Sequence, residues 1–424
     1  RKLFAIATVV SFAALLHFSR WIKPLDCAKQ TVEDGRSLAM HHVRNQTQAP
    51  PSEGQGDRTS AKHRSSNTSK GSAQEERTSK IVTASATRAR ETMVATVTTC
   101  VEDRSPTVAK GDRNSTEKRH VFFLKVHKAA STTVMNVMLR FALSRSLNVM
   151  LPRVSHMFSE ESKEWTTNVM RLPGNVQKFD ILCNHLIFEE NAIRAAMYPD
   201  TVFTGSVRHP FRQFVSAFMY YKHVWSITYL TRIPGSDPVK TYLSDPKKWE
   251  IPSVPNSFTH NRMSFDFGMD PMNMTDENYV ADYLKYLNDT FDLVLVSERF
   301  DESMVMMKRL LNWKMKDVLH FKNNAHSHKK IEYSEDQMSN HRKFNMADYA
   351  LYDFFSQLFD ARVLKEGESF NDEVRVFKSV REAVSEFCKN NTDSTLTVNA
   401  TSWNEQFDVT RTDCELMGKP EMEL

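Results

Sequence analysis

The chain has 424 residues and a net charge of only +4, so it lacks the strong basic excess that is typical of nucleic-acid-binding proteins. Hydrophobic residues make up 40% of the chain, which is enough for a sizeable core, and 11 glycines are too few for a glycine-rich repeat protein. We therefore expect a globular body and no nucleic acid as a partner.

Residues 1–23 are typical of a membrane anchor. Two basic residues precede an apolar run of 16 residues from Leu3 to Phe18, and further basic residues follow it. The run is short for a membrane span of about 20 residues. It is long for the core of a cleaved signal peptide, and no small-residue cleavage site follows it before Pro24. We predict an uncleaved signal-anchor transmembrane helix, with a cleaved signal peptide as the alternative.

Asparagine glycosylation motifs indicate which side of the membrane the body occupies. All seven N-x-S/T motifs lie after the apolar run, and this modification takes place in the secretory lumen. We therefore predict a single-pass type II protein with a short cytoplasmic flank and a lumenal body. The acceptor residues are Asn45, Asn67, Asn114, Asn273, Asn288, Asn390 and Asn399.

Residues 24–118 differ in composition from the rest of the chain. From residue 28 to residue 118 there is no Phe, Trp or Tyr, and Ser, Thr, Lys, Arg and Glu are abundant. Such a segment buries too little apolar surface to offset the entropy lost on ordering. We predict a disordered lumenal stem, rather than a basic interaction tail, because its charges are mixed. The folded domain is predicted to span residues 119–424.

The cysteine pattern argues against a structural metal site. The five cysteines show no CxxC or Cys/His spacing, so we expect no bound metal. In an oxidising lumen some of them should pair, and Cys388 with Cys414 is a plausible bridge near the C-terminus. Cys183 lies in an apolar run and is predicted to be a buried thiol. Cys27 lies beside the predicted membrane anchor, where it could join two chains in a disulfide-linked homodimer.

From residue 119 onward, strand-like and helix-like segments alternate. Short apolar runs rich in β-branched and aromatic residues predict buried strands, and apolar residues at helical spacing predict the helices between them. This alternation predicts an α/β fold with a parallel sheet flanked by helices. The predicted strands are 120–126, 179–185, 200–208 and 291–298. The predicted helices are 132–147, 189–197, 210–225 and 299–311.

The loop between the first strand and the first helix has the composition of an anion site. Free N–H groups at the start of the helix attract anions, small residues let the anion approach the backbone, and lysines add charge. Without the GK[ST] ending of a nucleoside-triphosphate loop, a kinase-like phosphotransferase is disfavoured. An ordinary helix cap at Ser131 or Thr132 is the alternative. The loop residues concerned are Lys125, Lys128, Ala129, Ala130, Ser131, Thr132 and Thr133.

A second anion site is predicted at the end of the third strand. Arg208 ends that strand, and Ser216 lies eight residues later, which is about two helical turns. Arginine grips phosphate with two parallel hydrogen bonds, although an arginine at a strand end is often only structural. Two anion sites at neighbouring strand ends would suit one ligand with phosphates at both ends.

Several ordered stretches resemble the galactose-3-O-sulfotransferase family: "FLKVHKAASTTVMNVMLRF", "FDILCNH", "VRHPFRQFVSAF", "HNRMSFDFG" and "SERFDESMVMMKRLL". The resemblance implies a P-loop-like sulfotransferase fold in a type II Golgi membrane enzyme. It also implies 3′-phosphoadenosine 5′-phosphosulfate (PAPS) as sulfate donor and the 3-hydroxyl of a terminal β-galactose as acceptor. One departure is Ala129, where the family usually has threonine.

The resemblance also implies roles for individual residues. The loop from Lys128 to Thr133 would bind the 5′-phosphosulfate, while Arg208 and Ser216 would bind the 3′-phosphate. Lys128 would neutralise charge on the leaving phosphate during sulfuryl transfer, by analogy with phosphoryl transfer. A histidine would act as the base, and of two candidates His185 is preferred to His127.

The acceptor site is less distinct in the sequence. Amides, an arginine and aromatic rings between Asn256 and Gly268 suit a sugar, and the candidate contacts are Asn261, Arg262, Asp266 and Trp225. A loop packed on the core is the alternative. We expect galactosylceramide or a related glycolipid as acceptor, with Galβ1-3/4GlcNAc or Galβ1-3GalNAc glycans of glycoproteins as the alternative. A catalytically silent Golgi sugar-binding protein is the non-enzymatic alternative.

Overall fold

The structure is a computed structural model, and it describes residues 116–154, 157–251, 257–321, 332–390, 394–420 and 423. The predicted membrane anchor and all but the last three residues of the predicted stem lie outside these ranges. Within them, no helix has both the length and the apolar character needed to cross a membrane.

A four-stranded parallel sheet forms the centre of the fold, as the sequence predicts. Its strands are β1 (Val121–Leu124), β2 (Ile181–Leu182), β3 (Val202–Val207) and β4 (Leu293–Val296), in the order β2-β1-β3-β4. Every residue of these strands is buried, because helices cover both faces of a parallel sheet. The second strand is shorter than predicted and continues only as isolated bridges.

The strand order creates a crevice beside β1. The chain places β2 on one side of β1 and then crosses to place β3 on the other side. In open parallel sheets, ligands bind where the order reverses in this way, outside the carboxyl ends of the strands. The site is therefore expected between the end of β1 and the end of β3.

Helices account for most of the remaining structure, and all four predicted helices are present. Between β1 and β4 the helices are α1 (Ser131–Arg145), α2 (Glu190–Ala196), α3 (Pro210–His223), α4 (Thr228–Thr231), α5 (Pro238–Ser244), α6 (Pro246–Trp249), α7 (Arg262–Asp266) and α8 (Glu277–Thr290). After β4 they are α9 (Phe300–Leu311), α10 (Met315–Val318), α11 (Glu335–Phe344), α12 (Met346–Glu366), α13 (Glu368–Lys389) and α14 (Arg411–Gly418). Single 3₁₀ turns lie at Thr166–Asn168, Pro173–Asn175, Pro271–Asn273 and Ser297–Arg299.

Two apolar clusters stabilise this arrangement. The larger cluster surrounds the sheet and includes the inner face of α1, where Val134, Val137, Met138 and Phe141 recur at helical spacing. The smaller cluster is formed by α3, α4 and α5 around Tyr242. The smaller cluster borders the carboxyl edge of the sheet, where α3 begins.

The C-terminal region carries features that the sequence predicts only in part. The predicted bridge between Cys388 and Cys414 is confirmed, and it joins the end of α13 to α14. Cys183 is fully buried, as predicted. A hairpin of β5 (Thr395–Val398) and β6 (Phe407–Thr410) between these helices was not predicted.

Candidate active site

The residues from Lys125 to Ser131, here called the β1 loop, turn sharply into α1. Lys128 and Ala130 have φ angles of 58° and 60°, in the left-handed region that residues other than glycine seldom occupy. The Ser131 hydroxyl donates to the carbonyl of Val126 at 2.6 Å, so it closes the loop from within. The start of α1 and its main-chain N–H groups therefore face the edge of the sheet, as an anion site requires.

Side chains from the neighbouring strand ends hold the β1 loop in place. Arg208 Nη1 donates to the carbonyl of Lys128 at 2.9 Å. Ser297, directly after β4, has its hydroxyl 2.9 Å from the carbonyls of both Ala129 and Val207. The ends of β1, β3 and β4 are thus joined at one edge, and the two predicted anion sites lie side by side.

Lys128 extends from this edge towards α3. Its Nζ lies 3.7 Å from the centre of the Tyr220 ring, and the side chain is half-buried. Thr132 and Thr133 at the start of α1, and Ser216 on α3, are also half-buried. Their predicted contacts with a phosphosulfate and a 3′-phosphate stay predictions.

His127 is buried between two carboxylates. Its Nδ1 lies 2.8 Å from Asp266 Oδ2, and its Nε2 lies 3.0 Å from Glu160 Oε1. Burial alone would raise the pKa of both carboxyl groups. In Glu160 the hydrogen bond and charge of His127, together with the charge of Arg262, outweigh burial, and in Asp266 the charge of Arg262 and the contacts of His127 do so, so both pKa values are lowered. Both carboxyl groups are therefore ionised beside the imidazole. With its hydrogen on Nδ1 towards Asp266, the neutral ring has a bare Nε2 that can accept a proton.

His185 lies against His127, with the ring centres 4.1 Å apart and the planes nearly parallel. Its Nδ1 faces the Lys125 carbonyl at 2.7 Å, so Nδ1 carries the hydrogen, and its Nε2 accepts from Lys125 Nζ at 2.7 Å. Burial, followed by the positive charge of Lys125, holds the His185 pKa well below its usual value. Both ring nitrogens of His185 are thus engaged within the protein.

Residues 257–268, here called the α7 segment, supply buried support rather than an open surface. Asn261, Arg262 and Asp266 are at most 1% exposed. Arg262 Nε donates to Asp266 at 3.0 Å, and Arg262 Nη2 donates to the Glu160 carbonyl at 3.0 Å. Asp266 contacts His127, Arg262 contacts the Glu160 carbonyl, and Asn261 contacts Asn345 and Asp348. The predicted contacts of these three residues with the sugar stay predictions.

The underside of the α7 segment is joined to α12. The Asn261 N–H donates to Asn345 Oδ1 at 2.7 Å, and Asp348 accepts from the main-chain N–H and the hydroxyl of Ser264, each at 2.7 Å. These contacts link helices that are far apart in the sequence. Sequence reasoning had no signal for them, since only the fold brings the partners together.

An open cleft of about 480 Å³ lies next to Glu160. Its walls come from the turn after α3 and from the edge of the smaller apolar cluster. Trp225, a predicted sugar contact, immediately precedes this turn and is 52% exposed, so its role stays a prediction. The lining residues are Glu160, Glu161, Ser226, Ile227, Thr228, Tyr229, Arg232, Ile251 and Phe258.

Sequence reasoning missed Glu160 as a residue of the site. It lies in an irregular stretch between α1 and β2, where no periodic pattern or motif marks it. The predicted glycosylation residues Asn273, Asn390 and Asn399 are exposed, and Asn288 on α8 is half-buried. Asn45, Asn67 and Asn114 lie outside the described residues, and the use of all seven stays a prediction.

Comparison with known proteins identifies the family to which this site belongs. The chain is 32% identical to human galactose-3-O-sulfotransferase 2 over 250 residues, which are 58% of this chain and 62% of that protein. It is also 32% identical to mouse galactose-3-O-sulfotransferase 3 over 279 residues, 63% of each chain. Bovine galactosylceramide sulfotransferase is 30% identical over 292 residues, 68% of each chain. The chain thus spans about three fifths of the length of the first two relatives.

The family model for galactose-3-O-sulfotransferases matches residues 78–407, which include the β1 loop, the α7 segment and both histidines. This match covers most of the chain, and it confirms the resemblance that the sequence motifs carry. The chain belongs to the galactose-3-O-sulfotransferase family.

Proposed function

We propose that this protein transfers sulfate from PAPS to the 3-hydroxyl of a terminal β-galactose. The observation that carries the proposal is the contact between Arg208 and the Lys128 carbonyl, which joins two cationic strand ends across the β1–β3 crevice. A nucleotide with a phosphosulfate at one end and a 3′-phosphate at the other would meet a positive group at each end. Family membership supports the same reaction.

On the donor side, the β1 loop would bind the phosphosulfate and Arg208 with Ser216 would bind the 3′-phosphate. In the reaction the acceptor oxygen forms a bond to sulfur while the bond between sulfur and the 5′-phosphate oxygen breaks, and its electron pair leaves with the phosphate. Lys128 would neutralise the charge that develops on that phosphate, because charge stabilisation dominates such loose transition states.

The geometry favours His127 over His185 as the base that takes the acceptor proton. Asp266 holds Nδ1 of His127 and so fixes the ring, while Nε2 points to Glu160 at the cleft. His185 directs its Nε2 to the ammonium of Lys125, which already donates to it. We therefore assign His127 as the base, in place of the sequence-based preference for His185, and His185 as a residue that orients it.

The acceptor is proposed to be galactosylceramide or a related glycolipid. The names of the relatives include both a galactosylceramide sulfotransferase and galactose-3-O-sulfotransferases, at nearly equal identity, so glycoprotein glycans are the second candidate. A type II position in the Golgi membrane with a lumenal catalytic domain, and a homodimer, also remain proposals that rest on the sequence.

Transfer of labelled sulfate from PAPS tests the proposal directly. The purified protein should sulfate galactosylceramide and, with lower kcat/KM, Galβ1-4GlcNAc and Galβ1-3GalNAc, with the label on the 3-hydroxyl by linkage analysis. A higher kcat/KM for the free glycans would reverse the acceptor assignment. Binding of PAPS without transfer to any galactoside would contradict the enzymatic function and favour the silent sugar-binding protein.

Substitution of the two histidines tests the assignment of the base. His127→Ala should lower kcat by about 100- to 10,000-fold, the range usual for loss of a general base. His185→Ala should lower it less and leave a residual pH profile of the same shape. A larger loss of kcat in His185→Ala than in His127→Ala would mean that His185 is the base.

A further inference from the structure

The cleft beside Glu160 has the chemistry of a sugar site. Its volume of about 480 Å³ falls within the range of small-molecule sites. Phe258 contributes an aromatic wall and is held in place by stacking on Tyr221 at 3.7 Å between ring centres. Ser226, Thr228 and Arg232 contribute polar groups. Aromatic faces together with hydroxyl and charged groups suit a ring that has both C–H faces and hydroxyls.

Glu160 stands between this cleft and His127. Its side chain is 23% exposed and lines the cleft, while its Oε1 lies 3.0 Å from His127 Nε2. The Glu160 carbonyl is held by Arg262 Nη2, so the main chain is anchored while the side chain retains its rotatable bonds. One carboxylate oxygen therefore occupies the position that a reacting hydroxyl needs next to the base.

We propose that the cleft binds the acceptor galactose and that Glu160 determines its specificity. The reacting hydroxyl replaces the Glu160 carboxylate at His127 Nε2, and the displaced carboxylate accepts a hydrogen bond from the hydroxyl on a neighbouring ring carbon. The inference rests on the proposed function, and it adds the residue that selects the acceptor sugar.

The electrostatics agree with this role. Burial opposes ionisation of Glu160, but the hydrogen bond and charge of His127 and the charge of Arg262 together outweigh it and lower the pKa. An ionised carboxylate only accepts hydrogen bonds, so it favours a sugar with a hydroxyl at that place. A hydrogen bond to a charged group contributes more than one between neutral groups, which makes its loss measurable.

The experiment compares the wild-type protein, Glu160→Ala and Glu160→Gln on a methyl β-galactoside and its 2-deoxy and 4-deoxy analogues. Glu164→Ala is the matched control, because Glu164 is an exposed carboxylate of the same stretch that does not line the cleft. The readouts are the KM for each acceptor, the KM for PAPS and kcat. The affinity for 3′,5′-adenosine bisphosphate reports whether each variant is folded.

Glu160→Ala should raise the galactoside KM about 10-fold or more and leave the PAPS KM unchanged. The wild type should use one of the deoxy analogues about 10-fold less well than the galactoside, and Glu160→Ala should lose that discrimination. The galactoside KM and the discrimination of Glu160→Gln should lie between those of the wild type and Glu160→Ala. Glu164→Ala should match the wild type in both. If Glu160→Ala fails to bind the bisphosphate, the Glu160→Gln data decide the result.

Two outcomes overturn the inference and are distinct. If the wild type sulfates galactosides and the Glu160 variants keep its acceptor KM and its discrimination, the role of Glu160 is wrong while the proposed function stands. If the wild type sulfates no galactoside, the proposed function fails, and the inference fails with it.

Discussion

The β1 loop and the α7 segment meet at His127, but they are built in opposite ways. The β1 loop presents main-chain groups, and small residues such as Ala129 and Ala130 allow close approach. The α7 segment buries whole charged side chains, and Arg262 and Asp266 neutralise one another at 3.0 Å. One region presents main-chain groups at the edge of the sheet, and the other holds His127 in place.

Because of this difference, substitutions in the two regions should have different effects on activity and on stability. A buried charge that loses its partner destabilises the fold, whereas a cation at the edge of a cleft is solvated when its ligand is absent. Substitutions in the α7 segment should therefore unfold the protein and inactivate it together. Loss of the cationic side chain of Lys128 in the β1 loop should inactivate the protein without unfolding it.

The largest effect is expected for Asp266→Ala. It leaves the Arg262 guanidinium buried without its carboxylate and removes the group that fixes His127 Nδ1, which should cost about 3–5 kcal/mol of unfolding free energy. Urea denaturation monitored by circular dichroism measures this loss, and Asp282→Ala on the exposed face of α8 is the control. Wild-type stability in the Asp266 variant would contradict the supporting role of the α7 segment.

Lys128→Ala should produce the complementary result. Loss of a group that stabilises charge in the transition state lowers kcat by about 100- to 1,000-fold. Lys128 is half-buried beside Tyr220, so the melting temperature should stay close to that of the wild type. Sulfate transfer and thermal unfolding are measured on the same preparation, with the exposed Lys163→Ala as control. If Lys128→Ala kept its sulfate-transfer activity, Lys128 would not belong to the active site.

The contrast also explains what the sequence could predict. Apolar runs and helical spacing are local patterns, so the four strands, the order of strand and helix, and the β1 loop were all accessible. The burial of the α7 segment was not accessible, because the partners that bury its amide and arginine side chains, Asp348 and Glu160, lie far away in the chain. Only tertiary contacts determine whether a polar side chain faces a ligand or the core.

A smaller effect on stability is expected from the buried carboxyl of Asp348, which contacts the α7 segment. Burial raises the Asp348 pKa from 3.8 to about 6, although Ser264 donates two hydrogen bonds to it. Between these pH values the folded state keeps a proton that the unfolded chain releases, so this carboxyl makes the fold less stable as the pH rises through that window. Asp348→Asn removes the dependence, since an amide does not titrate.

The unfolding free energy of Asp348→Asn relative to the wild type should therefore increase by up to about 3 kcal/mol from pH 4 to pH 6.5 and stay constant above that pH. Urea titrations at half-unit pH intervals measure the change. Asp282→Asn, with an exposed carboxyl, should show no such trend. A difference that did not vary with pH would mean that Asp348 is ionised throughout the window.

The smallest effect probes the backbone of the β1 loop. Ala130 is exposed and has a φ of 60°, a conformation that costs a residue with a Cβ about 1–2 kcal/mol and costs glycine nothing. Ala130→Gly relieves that strain but adds about 0.4–1 kcal/mol of entropy to the unfolded chain. We therefore expect no loss of stability, or a gain of up to about 1.6 kcal/mol.

The matched control is Ala383→Gly, at an exposed position inside α13, where the same change should cost about 1 kcal/mol. Ala130→Gly should also keep the wild-type KM for PAPS, because the loop would bind the donor through main-chain N–H groups that the substitution retains. Equal destabilisation by both changes would show that the left-handed turn is absent in solution. A raised PAPS KM in Ala130→Gly alone would show that the methyl group, and not only the backbone, shapes the anion site.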